Sequence, residues 1–265
     1  MLLLDRLIQE FPKAKRQTLK RMVQAGRVTI NGAKAVNLKQ PVAQSDAVRV
    51  DAPSRPKPPA APFPIIYEDD DIIVIDKPAG LLTSTVPREP RPTALTALRS
   101  IGHVGLIHRL DRDASGLLIF SKNSAALASL KRQFFHHTAT RIYQAIVSPP
   151  PTREKGKLES VLAERKDGTV HSINSRGRPA ITHFEQIRAA GNMAVLRVTL
   201  ETGKKHQIRA HFSEMGSPIV GDAMYGGLPH PDGLMLAAIE LQIDHPRSNR
   251  RMTFQIDPPK RMTIK

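Results

Sequence analysis

Residues 107–123 read IHRLDRDASGLLIFSKN, a short charged segment followed by an apolar run. The apolar run over 117–120 predicts a buried strand. The segment before it holds Arg109, Asp111, Arg112 and Asp113, and charged groups are costly to bury unless they are paired. A cluster of arginine and aspartate set against a core strand is therefore a candidate functional site. An ion-paired surface turn is the alternative interpretation.

In extended backbone, Asp111 lies two residues after Arg109, so both side chains point to the same side, and Asp113 continues that side. A carboxylate held beside a guanidinium stays ionised at neutral pH. Such a group suits a nucleophile or a base better than a general acid.

The composition favours a polyanionic partner. Forty lysines and arginines stand against 24 acidic residues, which gives a net charge of +16. There is no apolar run of about 18 residues, the length that a spanning helix needs, and the N-terminal residues lack the basic region of a secretory peptide. Nucleic acid is therefore favoured over a membrane. The chain has no cysteine, which excludes disulfides and thiolate zinc sites and fits a cytoplasmic protein.

Residues 52–64 read APSRPKPPAAPFP and predict an extended, proline-rich linker. It divides a first domain over 1–51 from a main domain over 65–265. Two sets of apolar residues in the first domain recur at helical spacing: Leu3, Leu4, Leu7, Ile8 and Phe11, then Leu19, Met22 and Val23. Gly26 is expected to end the second helix. Residues 27–32 (RVTING) predict a strand that runs into an Asn-Gly hairpin turn.

The first 50 residues hold ten lysines and arginines against three acidic residues. Lys13, Arg16 and Lys20 recur at helical spacing, and Arg27 begins the predicted strand. Because these charges have one sign, we interpret them as contacts to nucleic-acid phosphates rather than as a solvated helix face. The segment over 15–37 resembles the ribosomal-protein-S-four-like RNA-binding domain, a module that binds structured RNA.

The main domain shows more strand candidates than helix candidates, without strict alternation. Strands are predicted over 117–120, 141–147, 195–200 and 252–256, and helices over 94–100, 124–135 and 206–215. This order predicts an α+β fold on a mainly antiparallel, mixed sheet, preceded by a small α/β N-terminal domain.

Three further segments of the main domain could carry chemistry. Residues 140–147 (TRIYQAIV) hold Tyr143, either a half-buried strand aromatic or a ring that stacks on a base with its hydroxyl available for proton transfer. Residues 201–211 (ETGKKHQIRAH) form a basic turn before a helix, where Lys204, Lys205 and backbone N–H groups suit a phosphate. Residues 216–227 form a glycine-rich loop that is expected to pack near this turn.

Taken in chain order, these segments resemble the catalytic domain of RluA-type pseudouridine synthases, from about residue 65 onwards. The matching stretches are KPAGL (77–81), HRLD (108–111), SGL (115–117), RIYQA (141–145), HQIR (206–209), GD (221–222) and YG (225–226). The sequence departs from the family pattern at Ala114, Lys204 and Ala237, where threonine, arginine and histidine are usual.

The resemblance implies an isomerase that flips a uridine out of RNA, detaches the uracil, rotates it and rejoins it through C5. It implies Asp111 as the catalytic aspartate, Tyr143 as the residue that stacks on the uracil, and Arg209 as the partner of Asp111. The expected substrate-binding residues are Arg109, Ile208, His206, Lys204 and Lys205. Such an isomerisation needs no metal, redox cofactor or nucleotide.

The expected substrate is structured RNA, with large-subunit ribosomal RNA favoured by the N-terminal module and transfer RNA as the alternative. A noncatalytic RNA-binding or ribosome-assembly factor with the same fold is an alternative of a different class, which the presence of Asp111, Tyr143 and Arg209 opposes. A metal-dependent nuclease is a third. We expect a cytoplasmic monomer.

Overall fold

The apolar run of the opening segment forms strand β7 (Ser115–Ser121), and every residue of this strand is buried. Leu118 and Phe120 belong to one hydrophobic core, whereas Leu117 and Ile119 belong to a second core on the opposite side. A strand that is covered on both faces requires a nearly continuous apolar sequence. The strand predicted over 117–120 is confirmed.

The computed structural model describes residues 1–12, 14–51, 62–85, 91–102 and 104–264. The chain divides into two compact units, Met1–Pro58 and Pro59–Lys265. Most of the predicted linker, residues 52–61, lies outside the described residues, and so does Lys13. Within the described ranges, no helix is long and apolar enough to cross a membrane.

The first unit contains two helices and a small antiparallel sheet. Its elements are α1 (Leu3–Glu10), α2 (Arg16–Gln24), β1 (Val28–Ile30), β2 (Ala33–Lys34) and β3 (Val48–Val50). Strand β1 pairs with both β2 and β3. The turn between β1 and β2 holds Asn31 and Gly32, both with positive φ, as the tight turn of an Asn-Gly hairpin requires. The predicted hairpin is confirmed.

The predicted apolar face of α1 is only partly correct. Leu3 and Leu7 are fully buried, but Ile8 is 44% exposed and Phe11 follows the end of the helix. An eight-residue helix that packs on a small core buries only a narrow stripe of side chains, spaced four residues apart. The positions beside that stripe therefore stay in solvent.

The second unit alternates long strands with three short helices in its described part. Its elements are β4 (Ile65–Glu68), β5 (Ile72–Lys77), α3 (Ala94–Arg99), β6 (Gly105–Leu106), β7, α4 (Ser124–Phe135), β8 (Thr140–Val147), β9 (Lys155–Glu164), β10 (Val170–Ile173), β11 (Ala180–Ala190), β12 (Met193–Leu200), α5 (Gln207–Glu214), β13 (Leu236–Asp244) and β14 (Arg251–Gln255).

These strands form one mixed sheet in the order β10-β9-β11-β12-β8-β13-β7-β5-β4, with β14 paired to β13 and β6 paired to β7. The pairing of β13 with β7 is parallel, and the other pairings of this sheet are antiparallel. The predicted α+β architecture on a mainly antiparallel, mixed sheet is confirmed.

Strand β13 brings two distant parts of the chain together at Ala238, which lies opposite Gly116 of β7 on one side and opposite Tyr143 of β8 on the other. Gly116 has a φ of +108°, and a Cβ atom built there would lie 2.1 Å from the backbone oxygen of Ala238. Glycine is therefore required where β7 approaches β13. This close approach places the charged segment before β7 next to Tyr143.

Candidate active site

The side chain of Arg209 connects two carboxylates. Its Nε donates to Asp222 Oδ2 at 2.7 Å and its Nη2 donates to Asp222 Oδ1 at 2.8 Å, a bidentate pair that is buried. Its remaining Nη1 donates to Asp111 Oδ2 at 3.3 Å. Burial lowers the pKa of Arg209, but the hydrogen bonds and charges of the two carboxylates outweigh it, so the pKa is raised. Arg209 is therefore always charged.

The backbone on both sides of Asp111 is held by hydrogen bonds from distant residues. The side-chain oxygen of Thr83 donates to the carbonyl of Leu110 at 2.8 Å and accepts from the amide of Leu110 at 3.1 Å. On the other side, Lys77 Nζ donates to the carbonyl of Arg112 at 3.0 Å. These bonds fix the backbone on both sides of Asp111, whose own side chain is 25% exposed.

Lys77 is completely buried, and its Nζ also donates to the carbonyls of Pro78 and Leu81. Burial lowers the pKa of Lys77 to about 8, against the attraction of nearby carboxylates. Three carbonyl oxygens thus take the place of water around this ammonium group. The sequence prediction gave Lys77 no role, although it begins the matching stretch KPAGL.

Asp111 opens into a cavity of about 650 Å³. The sequence-predicted catalytic and substrate-binding residues all line this cavity: Arg109, Asp111, Tyr143, Lys204, Lys205, His206, Ile208 and Arg209. The volume lies within the usual range of small-molecule sites.

Tyr143 lies on β8 and is 6% exposed. Burial raises the pKa of its phenol, so the hydroxyl is neutral at neutral pH. Among the described residues, this hydroxyl has no hydrogen-bond partner. A buried tyrosine ring usually satisfies its hydroxyl, so a group that enters the cavity is the expected partner.

His206 precedes α5 in a left-handed conformation, with φ of +53°. Its Nδ1 lies 3.0 Å from the hydroxyl of Tyr225, which accepts from the amide of Val170, and its Nε2 lies 3.9 Å from Asp111 Oδ2. The Tyr225 hydroxyl can use its hydrogen by donating to Nδ1 of His206. In that arrangement Nε2 of His206 carries the ring hydrogen and faces Asp111. Burial lowers the pKa of His206, which agrees with a neutral ring.

The basic residues at the edge of the cavity are exposed, and they differ in their partners. Lys205 forms an ion pair with Glu164. The backbone amide of Lys204 donates to Gln207 Oε1 at 3.0 Å, so this amide is not available to a phosphate. The Lys204 ammonium group and the guanidinium of Arg109 have no ion-pair partner among the described residues.

Asp113 does not join this site through a hydrogen bond in the described structure. Its carboxylate accepts two hydrogen bonds from Arg112, at 2.8 and 3.1 Å, and both side chains are nearly half exposed. The opening segment therefore contains both of the arrangements that were considered, a cavity carboxylate at Asp111 and an ion-paired turn at 112–113.

Asp222, the buried partner of Arg209, was not assigned a role by the sequence prediction. It lies in the glycine-rich loop over 216–227, and this loop was expected only to pack near the turn at 201–211. Gly227 approaches the backbone so closely that a Cβ atom would lie 1.9 Å from the carbonyl oxygen of Ile219. The stretch GD at 221–222 was the available signal, since a buried aspartate needs a cationic partner.

The arrangement combines a partly exposed carboxylate, a fixed guanidinium and a buried phenol around a basic cavity. Residues 71–214 match the family model described as RNA pseudouridylate synthase. The chain therefore belongs to the RNA pseudouridylate synthase family and is an isomerase that acts on RNA.

The relatives indicate the RluA-type branch of this family. The chain is 34% identical to the ribosomal large subunit pseudouridine synthase D of Yersinia pestis, over 86% of this chain and 74% of that protein. It is 31% identical to an uncharacterized RNA pseudouridine synthase of Bacillus subtilis, over 93% and 87% of the two chains. The predicted RluA-type identity is confirmed, and the enzyme class argues against the noncatalytic alternative.

Solved structures show the same fold. Human RNA pseudouridylate synthase domain containing 1 superposes with a TM-score of 0.62 at 22% identity, over 74% of this chain and 84% of that chain. Human RNA pseudouridylate synthase domain containing 4 gives a TM-score of 0.61 at 21% identity, over 75% and 89%.

The buried ammonium group of Lys77 predicts a pH-dependent stability. Between its folded pKa of about 8 and its ordinary value of 10.5, the unfolded chain binds more protons than the folded one, so stability from this group rises with pH. We expect the unfolding free energy of the wild type, relative to Lys77→Met, to increase by up to about 3 kcal/mol between pH 7 and pH 10.5. Urea denaturation of both proteins measures this difference, in which other titrating groups cancel. A difference that does not change with pH contradicts the prediction.

Proposed function

We propose that this enzyme converts uridines of large-subunit ribosomal RNA to pseudouridine, with Asp111 as its catalytic carboxylate. The observation that carries the proposal is the contact between Asp111 and the Arg209–Asp222 pair at the wall of a cavity that also holds Tyr143. The relatives named for the ribosomal large subunit support the choice of RNA. On this proposal the enzyme acts in the cytoplasm as a monomer.

The reaction breaks the bond between N1 of uracil and C1′ of ribose and forms a bond between C5 and C1′. C5 loses a proton, and N1 gains one. Asp111 either attacks C1′ or removes a proton from C2′ to give a glycal, and both routes need an ionised carboxylate. Arg209 donates a hydrogen bond to this carboxylate, and Asp222 holds the guanidinium in position by accepting two hydrogen bonds from it.

We assign the remaining residues of the cavity to the uridine. Tyr143 stacks on the uracil, and the oxygen of its hydroxyl is available to assist loss of the C5 proton. Ile208 is 4% exposed and provides an apolar wall. Arg109 lies near the place that the extruded base leaves in the RNA. His206, Lys204 and Lys205 contact the ribose and the adjoining backbone.

We further propose that residues 1–51 form a ribosomal-protein-S-four-like RNA-binding domain. Arg16 and Lys20 are exposed one helical turn apart on α2, as contacts to neighbouring phosphates require. Arg27 follows that helix and donates to the carbonyl of Asp51 at 2.9 Å. Lys13, which was predicted to extend this basic surface, lies outside the described residues.

Replacement of Asp111 tests the catalytic assignment. We expect Asp111→Asn to lower pseudouridine formation by at least about three orders of magnitude, with little change in RNA affinity, because the amide can neither attack nor accept a proton. Tritium release from RNA that carries 5-tritiated uridine measures the reaction. Asp113→Asn is the matched control and should keep activity within a few fold, since Asp113 pairs with Arg112. An active Asp111→Asn enzyme would exclude the assignment.

The choice of RNA is tested by mapping pseudouridines across all cellular RNA in cells that lack the protein. We expect sites in large-subunit ribosomal RNA to disappear and to return with the wild-type gene but not with Asp111→Asn. A variant with Arg16→Glu and Lys20→Glu should restore them only partly, because two phosphate contacts are replaced by repulsion. Loss of sites in transfer RNA alone would refute the ribosomal substrate, and full restoration by the double variant would refute the role of α2.

A further inference from the structure

Arg141 carries a buried positive charge without an acidic partner. Its side chain lies on β8, two residues before Tyr143, and it lines the same cavity with an exposure of 8%. Nη2 donates to the backbone carbonyl of Glu201 at 3.2 Å, whereas Nε is buried and has no partner. In the described part of the chain, no carboxylate oxygen lies within 4.0 Å of this guanidinium. Burial lowers the pKa of Arg141, as expected for an uncompensated charge.

The position of this guanidinium is enforced by its surroundings. It lies over the ring of Phe134, with Cζ 5.4 Å from the ring centroid. On another side, Gly203 leaves room for it, since a Cβ atom at Gly203 would lie 2.2 Å from Nη1. The chain thus holds an arginine at a fixed place in the cavity wall instead of letting it extend into water.

The cavity as a whole has an excess of positive charge. Its described lining contains one carboxylate, Asp111, and six cationic side chains: Arg109, Arg141, Arg178, Lys204, Lys205 and Arg209. Asp111 is already bonded to Arg209. No acidic side chain of the cavity therefore remains for Arg141.

A buried cation without a partner is costly, and the cost is recovered when an anion binds to it. RNA supplies such an anion in each phosphodiester group, whose two free oxygens match the fork of a guanidinium. We propose that Arg141 binds the backbone phosphate next to the flipped uridine, inside the cavity. This inference rests on the proposed function, because it requires the target nucleotide to enter beside Asp111 and Tyr143.

A contact between Arg141 and a uracil carbonyl is the competing arrangement. A carbonyl is neutral, so it would satisfy hydrogen bonds but leave the charge uncompensated. The two arrangements differ in salt dependence. Each phosphate contact releases a counterion and steepens the fall of affinity with salt, whereas a carbonyl contact does not.

The test compares kcat/KM of the wild type, Arg141→Gln and Arg141→Lys between 50 and 300 mM salt. The probe is an unmodified transcript of large-subunit ribosomal RNA, or of the RNA that the mapping experiment identifies. We expect Arg141→Gln to lower kcat/KM by about 10- to 100-fold at low salt, mainly through KM. The slope of log kcat/KM against log salt should become less negative by about 0.7 to 0.9. Arg141→Lys keeps the charge and should keep the slope.

Gly203→Ala provides a second variant in which Arg141 is retained but its guanidinium is displaced. Gly203→Ala should lower kcat/KM when Arg141 is present. It should cause no further loss of kcat/KM in the Arg141→Gln background. An unchanged salt slope in Arg141→Gln, with thermal stability preserved, overturns the proposal. A loss in Arg141→Gln that is confined to kcat also overturns the proposal, because it would indicate that Arg141 only holds Tyr143 in position. Failure of the proposed function would look different, because the wild type would then leave the ribosomal transcript unmodified or Asp111→Asn would stay active, whatever the salt slope of Arg141→Gln.

Discussion

Arg209 lies between two carboxylates, and the active site depends on how its five N–H groups are divided between them. Asp222 is buried and accepts two of these hydrogen bonds, so it fixes the plane of the guanidinium. That plane directs Nη1 toward Asp111, the one carboxylate that lines the cavity in the described structure. The guanidinium contacts Asp111 through this one nitrogen only, so the Asp111 side chain stays 25% exposed at the cavity.

A fixed guanidinium would be of little use if the backbone of Asp111 could move. Thr83, in the segment that follows β5, binds the residue before it, and Lys77, the last residue of β5, binds the residue after it. The ammonium group of Lys77 is costly to bury, and the three carbonyls around it are what offsets this cost. Strand β7 begins at Ser115, four residues after Asp111, and its close approach to β13 brings Asp111 near Tyr143. Tyr143 and Arg209 lie on β8 and α5, whereas Asp111 lies outside any helix or strand and depends on the hydrogen bonds of its chain neighbours.

The sequence predicted what local patterns encode. The apolar run over 117–120, the Asn-Gly turn at 31–32 and the strand around Tyr143 were predicted because periodicity and turn chemistry are properties of neighbouring residues. The contact between Asp111 and Arg209 spans 98 positions, and it was expected only from the family resemblance. The role of Asp222 was missed because only the folded loop brings it to Arg209. The unpaired charge of Arg141 was missed because the alternating pattern of a strand does not show which side chains lack an ion-pair partner. Exposure of Ile8 likewise depends on the size of the core that α1 meets.

The central claim is that Asp222 acts on catalysis through Arg209 and Asp111, without touching the substrate. The most direct test is the single-turnover rate of Asp222→Asn on saturating RNA, measured together with RNA affinity and thermal stability. An amide in place of the carboxylate cannot accept both hydrogen bonds from Arg209, so the account predicts a rate about 10- to 100-fold lower with RNA affinity nearly unchanged. A folded Asp222→Asn enzyme that reacts at the wild-type rate would contradict it.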